Sequence, residues 1–486
     1  MAIGVYPTQQ GRRRATSNPW LLALAVGLAL LAVGVFASAL VWRRRLVWLR
    51  RGVSVLLLIS SVVVGVVWWN TPPPFVNRRA PLADSALVYA TTDTNTITAY
   101  QAATGQMVWR RKLSAQYLST FRVLPGVVVV MSQTIMNGTQ SPTVGLTLTG
   151  LDVATGRTLW LTALPADTLL EPTFGIGVSV YQGRLYCAVS GSSSGYALIS
   201  VDSATGRVLW TTPTDDLMTA AGASLNVAAD ANAVYVIGDQ PPHLGSVFAY
   251  RASDGNPLWA WLSPANASAS VLAIGQGVVY GASYQKSITA LRATDGAVLW
   301  RQGFADGGFA PLNLLYQAGS VYVVGLLANA LVVYAINAAS GALRWRRDLG
   351  QAGANATAFA NEYTLEHYGL VLNNGALMVN DANGLYALDA ATGSNRWRLD
   401  GGATLAFDLD SSIGIWTQPD ERILPVVQGD VLFLLAVEQT PPPWHSLFTG
   451  SQGQSYLYAV SATTGQLYWR VQRDMAHAAV PPRGFS

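Results

Sequence analysis

The sequence predicts an all-β fold: an eight-bladed β-propeller with four-stranded blades, preceded by an N-terminal transmembrane helical hairpin. Three observations carry that prediction. A short phrase ending in tryptophan recurs eight times, runs of alternating apolar residues precede its copies, and two long uncharged stretches lie ahead of the first copy.

The 486 residues are 51% hydrophobic and 12% charged, an apolar balance whose excess sits near the N-terminus. Residues 1–19 read as a polar tail. Trp20 to Trp42 then runs 23 residues without a charge, enough to span a bilayer, and Val53 to Trp69 adds 17 more. Trp20, Trp42, Trp68 and Trp69 stand at the ends of these runs, where an indole suits the lipid–water boundary. A cleaved signal peptide is the competing reading, with Arg12–Arg14 as its basic region and "ASA" at 37–39 as its cleavage site. The first run continues past that cut and a second follows at once, so a hairpin over 20–69 is the better reading.

Arg43, Arg44, Arg45, Arg50 and Arg51 lie between the two runs, where basic residues set topology and favour a cytoplasmic linker. Arg12–Arg14, Arg78 and Arg79 argue the opposite way. The linker charges are denser and nearer the membrane, which favours an extracytoplasmic C-terminal part on a multi-pass cell-membrane protein. The net charge of +4 shows no basic, aromatic-laced stripe for a phosphate backbone, and nucleic-acid binding is not expected. Cys187 is the one cysteine; it excludes an intramolecular disulfide, a CxxC pair and a thiolate zinc cluster, and reads as a small core residue.

Residues 70–83 form a Pro-containing linker, stiffened by "PPP" at 72–74. The propeller is placed at 84–486. Copies of the repeated phrase start at Ala99, Gly150, Ser200, Ala249, Ala290, Ala335, Ala387 and Ala459. Each holds a glycine four residues before a tryptophan: Gly105/Trp109, Gly156/Trp160, Gly206/Trp210, Gly255/Trp259, Gly296/Trp300, Gly341/Trp345, Gly393/Trp397 and Gly465/Trp469. Scattered composition would give about one or two such pairs, so eight in register mark a structural repeat.

The chemistry of the phrase is that of a β-hairpin. Its first residue is small, so something packs closely on it. Thr, Ser or Asp before the glycine hydrogen-bonds turn backbone, the glycine takes the positive φ of a hairpin bulge, and the tryptophan lies in the returning strand. A further strand precedes each hairpin, as in "GRLYCAVS" at 183–190 and "NAVYVIGD" at 232–239, with room for a fourth after each tryptophan. Tryptophan spacings of 51, 50, 49, 41, 45, 52 and 72 residues fit propeller blades. The last interval contains two insertions, near "FDLDSSIGIWTQPDERI" and "EQTPPPWHSLFTGSQGQS", expected to lengthen loops of the final blade and to carry its binding surface.

"ALDAATGSNRW" at 387–397 matches A-x-D-x-x-T-G-x-x-x-W, and the repeats resemble those of the quinoprotein (pyrroloquinoline-quinone) alcohol dehydrogenase-like propellers over residues 84–486. The resemblance implies that the eight tryptophans lock neighbouring blades by stacking. The motif aspartate is present only as Asp152, Asp202 and Asp389; Gln101, Arg251, Arg292, Asn337 and Ser461 replace it, which implies less regular turn capping. The family contains cofactor-dependent dehydrogenases and non-catalytic propellers, among them the lipoprotein of the outer-membrane β-barrel assembly machinery, so the fold does not name an activity.

The dehydrogenases hold quinone and calcium at the ring centre with a catalytic Asp. Here Asp215–Asp216, Glu362 with Glu366, and Asp408 with Asp410 are the sparse acidic candidates, and solvated faces or loops explain them best. His243, His367, His445 and His477 are isolated in sequence, the first and third expected in loops. "NGT" at 137–139, "NAS" at 266–268 and "NAT" at 355–357 fit glycosylation sequons. No catalytic, metal or cofactor site is expected; pyrroloquinoline quinone and Ca²⁺ belong only to an alternative dehydrogenase reading. The function expected is a membrane-anchored interaction scaffold or ligand-binding module with a protein partner at the cell envelope, with an envelope assembly factor as a further alternative.

Overall fold

The computed structural model describes residues 77–473, apart from the segments 137–142, 169–176, 215–226, 352–369, 409–412, 416–426 and 440–452 and a few shorter stretches. The uncharged runs at 20–42 and 53–69 lie outside it, as do Asp215, Asp216, Glu362, Glu366, Asp410, His367, His445, His477 and the three sequon asparagines. Among the described residues no helix is long and apolar enough to cross a membrane.

Eight antiparallel sheets are built in chain order. β1 (Leu87–Asp93), β2 (Thr96–Gln101) and β3 (Met107–Lys112) belong to blade 1, and β4 (Tyr117–Leu124), β5 (Val127–Met136), β6 (Thr143–Asp152) and β7 (Thr158–Thr168) form blade 2. β8 (Gly177–Tyr181), β9 (Arg184–Gly191), β10 (Gly195–Asp202) and β11 (Val208–Pro213) form blade 3. β12 (Val227–Ala229), β13 (Ala233–Gln240), β14 (His243–Arg251) and β15 (Pro257–Trp261) form blade 4. β16 (Ala269–Gly275), β17 (Val278–Ser283), β18 (Ser287–Arg292) and β19 (Val298–Gly303) form blade 5. β20 (Ala310–Gln317), β21 (Ser320–Leu327), β22 (Ala330–Asn337) and β23 (Leu343–Gln351) form blade 6. Blade 7 is β24 (Leu370–Asn373), β25 (Ala376–Asp381), β26 (Gly384–Asp389) and β27 (Asn395–Asp400). His243 therefore opens a strand, opposite Gln240, rather than lying in a loop.

Burial follows strand position. The third strands are buried almost throughout, whereas the fourth are largely exposed, with tryptophan as the recurrent inward exception. The core is correspondingly distributed between blades: one cluster joins Tyr322 and Val333 of blade 6 to Leu377 and Tyr386 of blade 7, and another joins Met131 and Leu148 of blade 2 to Cys187 and Ile199 of blade 3. Each blade buries its faces only against its neighbours, so the ring must close for the end blades to have cores at all.

Two turn types set the register. The first two strands of blade 3 are joined by Gln182 and Gly183 with φ of 46° and 72°, the doubly positive geometry that matches strand twist. Between third and fourth strands the motif glycine takes φ of 67° to 76° in all eight blades. The hairpin bulge falls at the glycine, as the sequence predicts: the Gly105 amide donates to the Gln101 carbonyl and the Gln101 amide to that of Gln106, so Gly105 and Gln106 face one residue, and all eight blades repeat the pair. A second bulge follows that the sequence reading did not anticipate. Ala99 pairs with Trp109 and Tyr100 with Met107, leaving Val108 as the extra residue, and the same one-residue shift precedes every motif tryptophan. A bulge there re-aims the next side chain, which is how the indole leaves the rim and points at the adjoining blade.

Ring closure departs from the sequence reading. Blade 8 consists of β28 (Leu405–Asp408), β31 (Val431–Gln439), β32 (Gly453–Ser461) and β33 (Leu467–Arg473). The first insertion does not simply lengthen a loop of that blade. It contains β29 (Ile413–Ile415), which pairs with β1 and supplies the missing first strand of blade 1, then returns as β30 (Val427–Gln428) to the same edge of β31 that β28 occupies. The physical reason is that no strand precedes Leu87 among the described residues, and the edge of β1 that would otherwise stay open is paired by β29. Residues 77–80 add a strap on the outside: the Arg78 amide donates to the Tyr468 carbonyl (2.6 Å), and the Ala80 amide to that of Ala103 (2.7 Å).

Candidate functional site

The repeated residues converge on eight equivalent joints. The Nε1–H of Trp109 donates to the carbonyl of Val153 in the next blade, three residues before Gly156. Trp160, Trp210, Trp259, Trp300, Trp345 and Trp397 repeat the bond to Ser203, Ala252, Ala293, Ala338, Ala390 and Ala462, and Trp469 completes the circle at Ala102, all at 2.9–3.1 Å. Each indole lies flat against the glycine that follows its acceptor. A Cβ at Gly105 would come within 2.7 Å of Trp469 Cε3, and Gly156, Gly206, Gly255, Gly296, Gly341, Gly393 and Gly465 meet the preceding tryptophan in the same way.

The joint contains a partner that the sequence reading missed. Opposite the small first residue of the phrase stands an aromatic on the second strand: Tyr89 faces Ala99, Tyr235 faces Ala249 and Tyr322 faces Ala335. The small residue is small because two rings meet over it; Tyr89 and Trp109 approach to 5.7 Å between centroids, Tyr235 and Trp259 to 5.8 Å. The tyrosine hydroxyls of Tyr89, Tyr235, Tyr280 and Tyr322 donate to the very carbonyls that the indoles use, at Val153, Ala293, Ala338 and Ala390. Burial raises the Tyr280 phenol to about 12, with Tyr316 adding to it, so the hydroxyl stays a donor. The signal was available as the tyrosine of "GRLYCAVS" and "NAVYVIGD". Blade 2 has Val129 at this position, blade 7 has Met378 and blade 8 has Phe433.

Turn capping varies in chemistry while keeping its place. Asp152 Oδ1 accepts from the Ala154 and Thr155 amides and the Thr155 hydroxyl, and Asp389 does the same with Ala391 and Thr392. Asn337 caps Ala339 and Ser340, and the Ser461 hydroxyl caps Thr464. In blades 4 and 5 the roles are exchanged: Arg251 and Arg292 pair with Asp254 and Asp295, and those aspartates cap Asn256 and Ala297. The Arg396 guanidinium and the Thr392 hydroxyl hold the Asp389 carboxyl down at about 2, and Thr155 holds Asp152 below its usual range.

The first strands of neighbouring blades contact one another, as β8 does β12 and β16 does β20, and so gather at the ring centre. Their described sequences hold one carboxylate, Asp408, and one cation, Arg122. Arg122 donates to the Thr120 hydroxyl (2.6 Å) and across the joint to the Val178 carbonyl (3.3 Å). Asn313 caps Leu314, and Asn373 donates to Gly429. Calcium takes about six to eight oxygen ligands, several of them carboxylate. A donor set of one carboxylate with amides already engaged does not fit a calcium–quinone centre among the described residues, which also hold no cluster of three His, Cys, Asp or Glu. Cys187 is fully buried, and burial pushes its thiol up to about 12.

The sequence profile described as "Outer membrane protein assembly factor BamB" matches residues 39–163, 144–302, 243–358 and 328–483. No curated protein matches the chain. Among solved structures, the computationally designed Ika8 protein is 12% identical, with a TM-score of 0.50 over 82% of this chain and 100% of its own. BamB from Moraxella catarrhalis is 17% identical over 82% and 96%, with a TM-score of 0.47. Quinohemoprotein alcohol dehydrogenase from Comamonas testosteroni is 14% identical over 82% and 75%, also with 0.47. At such identities likeness speaks to the fold alone.

Proposed function

The chain belongs to the pyrroloquinoline-quinone-repeat β-propeller family described by the assembly factor BamB, and from that membership we propose a membrane-anchored, non-catalytic scaffold for a protein partner at the cell envelope. The observation that carries the reading is where the repeated chemistry goes: all eight motif indoles donate into the next blade. The conspicuous residues are engaged in holding a closed ring, and binding is left to the surfaces in which blades differ. The uncharged runs at 20–42 and 53–69 support the anchor, and the arginines between them support a propeller outside the cytoplasm. The eight Trp–Gly contacts are the docking elements of this scaffold, and no cofactor is required.

Crosslinking of the full chain in its native membrane tests the reading. Recovery of a specific protein partner, including one added as a strand to a blade edge as an assembly factor would, is the expected result. Recovery of none would overturn it. The second reading, a quinone- and calcium-dependent dehydrogenase, is favoured by family resemblance; stoichiometric binding of pyrroloquinoline quinone with Ca²⁺ and dye reduction by alcohols or sugars would establish it in place of the scaffold.

A further inference from the structure

Ten large hydrophobic side chains are exposed among the described residues, and all lie in the fourth strands of blades 1 to 6 or, for Leu262, one residue beyond. An apolar, uncharged edge strand is a template for pairing, and proteins blunt such edges with charge or proline. The other blades do so. The fourth strands of blades 6, 7, 8 and 1 (β23, β27, β33 and β3) carry two or three Arg or Lys each, β19 carries Arg301, β15 opens on Pro257 and β11 ends on Pro213. β7 of blade 2 is the exception. It is the longest fourth strand, with 11 residues, and holds neither charge nor proline from Thr158 to Leu164. Leu159 and Leu161 are 41% and 66% exposed there, the latter the most exposed of the ten.

Blade 8 shows what such an edge takes. The strap lies along β33: the Arg78 amide donates to the Tyr468 carbonyl (2.6 Å), and the Asn77 side chain donates to the Arg470 carbonyl (3.4 Å) and accepts from the Arg470 amide (3.2 Å). The strap therefore runs antiparallel to β33. Ala80 and Leu82 join the cluster around Trp469, which is wholly buried, and Tyr468 and Arg470 are half-buried. β7 presents the same groups without a strap. Trp160 stands opposite Gly150 as Trp469 stands opposite Ala459, so Leu159 and Leu161 occupy the places of Tyr468 and Arg470. By that equivalence the Leu159 carbonyl and the Leu161 amide and carbonyl face outward. β7 is the last strand of its sheet, and among the described residues no backbone group pairs with its outer edge. Trp160 is correspondingly only half-buried.

We infer that the outer edge of β7, from Thr158 to Leu164, is an acceptor for an extended, uncharged segment of a partner protein, added antiparallel to blade 2 as the strap is added to blade 8. The inference deepens the scaffold reading and rests on it for the existence of a protein partner. Affinity comes from main-chain hydrogen bonds to Leu159 and Leu161, and selectivity from apolar side chains laid over the two leucines. A charged segment finds no counter-ion along Thr158–Leu164, whereas an apolar one covers the exposed leucines.

The test uses the full chain in detergent micelles and, as probe, an end-capped fluorescent peptide of alternating valine and threonine long enough to cover the edge. Expected is a rise in the peptide's fluorescence anisotropy on titration with the protein. Methylating the peptide amides one at a time should abolish binding at alternate positions only, because a strand turns every second amide toward its neighbour. Leu161→Arg should weaken binding at least about tenfold through the lost burial of the leucine. The fold accepts arginine at that place, since Arg110, Arg346, Arg398 and Arg470 hold it in four other blades. Absence of binding, a methylation pattern without alternation, or an affinity indifferent to Leu161→Arg overturns the inference. So does a dimer that Leu161→Arg dissociates, which would make a second copy the occupant. In the native membrane, a partner crosslinked through benzoylphenylalanine at Leu258 but not at Leu161 keeps the scaffold and removes the acceptor edge. Peptide binding with no partner recovered from the membrane removes the scaffold and keeps the edge.

Discussion

Replacing Trp469 with phenylalanine at the joint between the last and first blades is expected to cost more than the same change at Trp345, although both indoles make the same contact. Trp469 is fully buried and its Nε1–H is 3.0 Å from the Ala102 carbonyl, with Phe433, which has no hydroxyl, as the flanking ring. Trp345 donates to Ala390 at 2.9 Å, but the Tyr322 hydroxyl reaches the same carbonyl at 3.3 Å. Trp→Phe removes roughly 40 Å³, which at about 24 cal/mol per Å³ of cavity is about 1 kcal/mol at either site. At Ala390 the carbonyl keeps a donor, so the lost hydrogen bond adds about 0.5–1.5 kcal/mol; at Ala102 the loss is nearer the full desolvation penalty, about 1–3 kcal/mol. The gap of about 1 kcal/mol is read as the difference in urea midpoint, followed by circular dichroism at constant slope. Adding Tyr322→Phe to Trp345→Phe should bring that variant to the level of Trp469→Phe. Equal midpoints for the two single variants, or a double variant no weaker than Trp345→Phe, would refute the shared-acceptor account.

Gly105→Ala and Gly126→Ala separate backbone from packing, because φ is 75° and 79° at the two sites while a Cβ meets Trp469 only at Gly105. Both should lose about 1–2 kcal/mol for a left-handed alanine, and Gly105→Ala about 1–3 kcal/mol more for overpacking; similar midpoints would exclude the close contact. Gly414→Pro removes a donor and stiffens β29 where it pairs with Tyr89. Amide exchange of Val88–Ala90 should accelerate while that of β25 in blade 7 does not, and unchanged exchange would show that β29 is dispensable for closure. Asp389 titrates at about 2 instead of 3.8, chiefly through Arg396. A depressed carboxylate contributes stability that is complete above about pH 4 and lost as pH falls through 2. Asp389→Asn should therefore flatten the pH dependence of unfolding in that window, and an unaltered profile would count against the turn contact.

The architecture was legible because its signal is periodic. A glycine four residues before a tryptophan, eight times over, reports a local hairpin whose geometry depends on its own residues: only glycine holds the turn near φ of 70° with an indole pressed against it. The tyrosine of the joint was also in the sequence, but a tyrosine in an alternating apolar run looks like ordinary strand filling. Its role appears only when register sets Tyr89, Ala99 and Trp109 in one row across three strands. The bulge at the glycine was legible from turn chemistry, whereas the second one, just before the tryptophan, was missed for a related reason: its extra residue is located only by pairing.

The sequence by itself determined the repeating unit, the number of blades and the glycine and tryptophan of each hairpin, because these follow from short-range periodicity. Tertiary structure alone decided which segment completes blade 1, since β29 and β1 are brought together only by closing a ring whose ends lie more than 300 residues apart in the chain. It also decided that the basic fourth strands of blades 6, 7, 8 and 1 form one continuous arc. Strands distant in sequence become neighbours there because each blade can bury its faces only against the next.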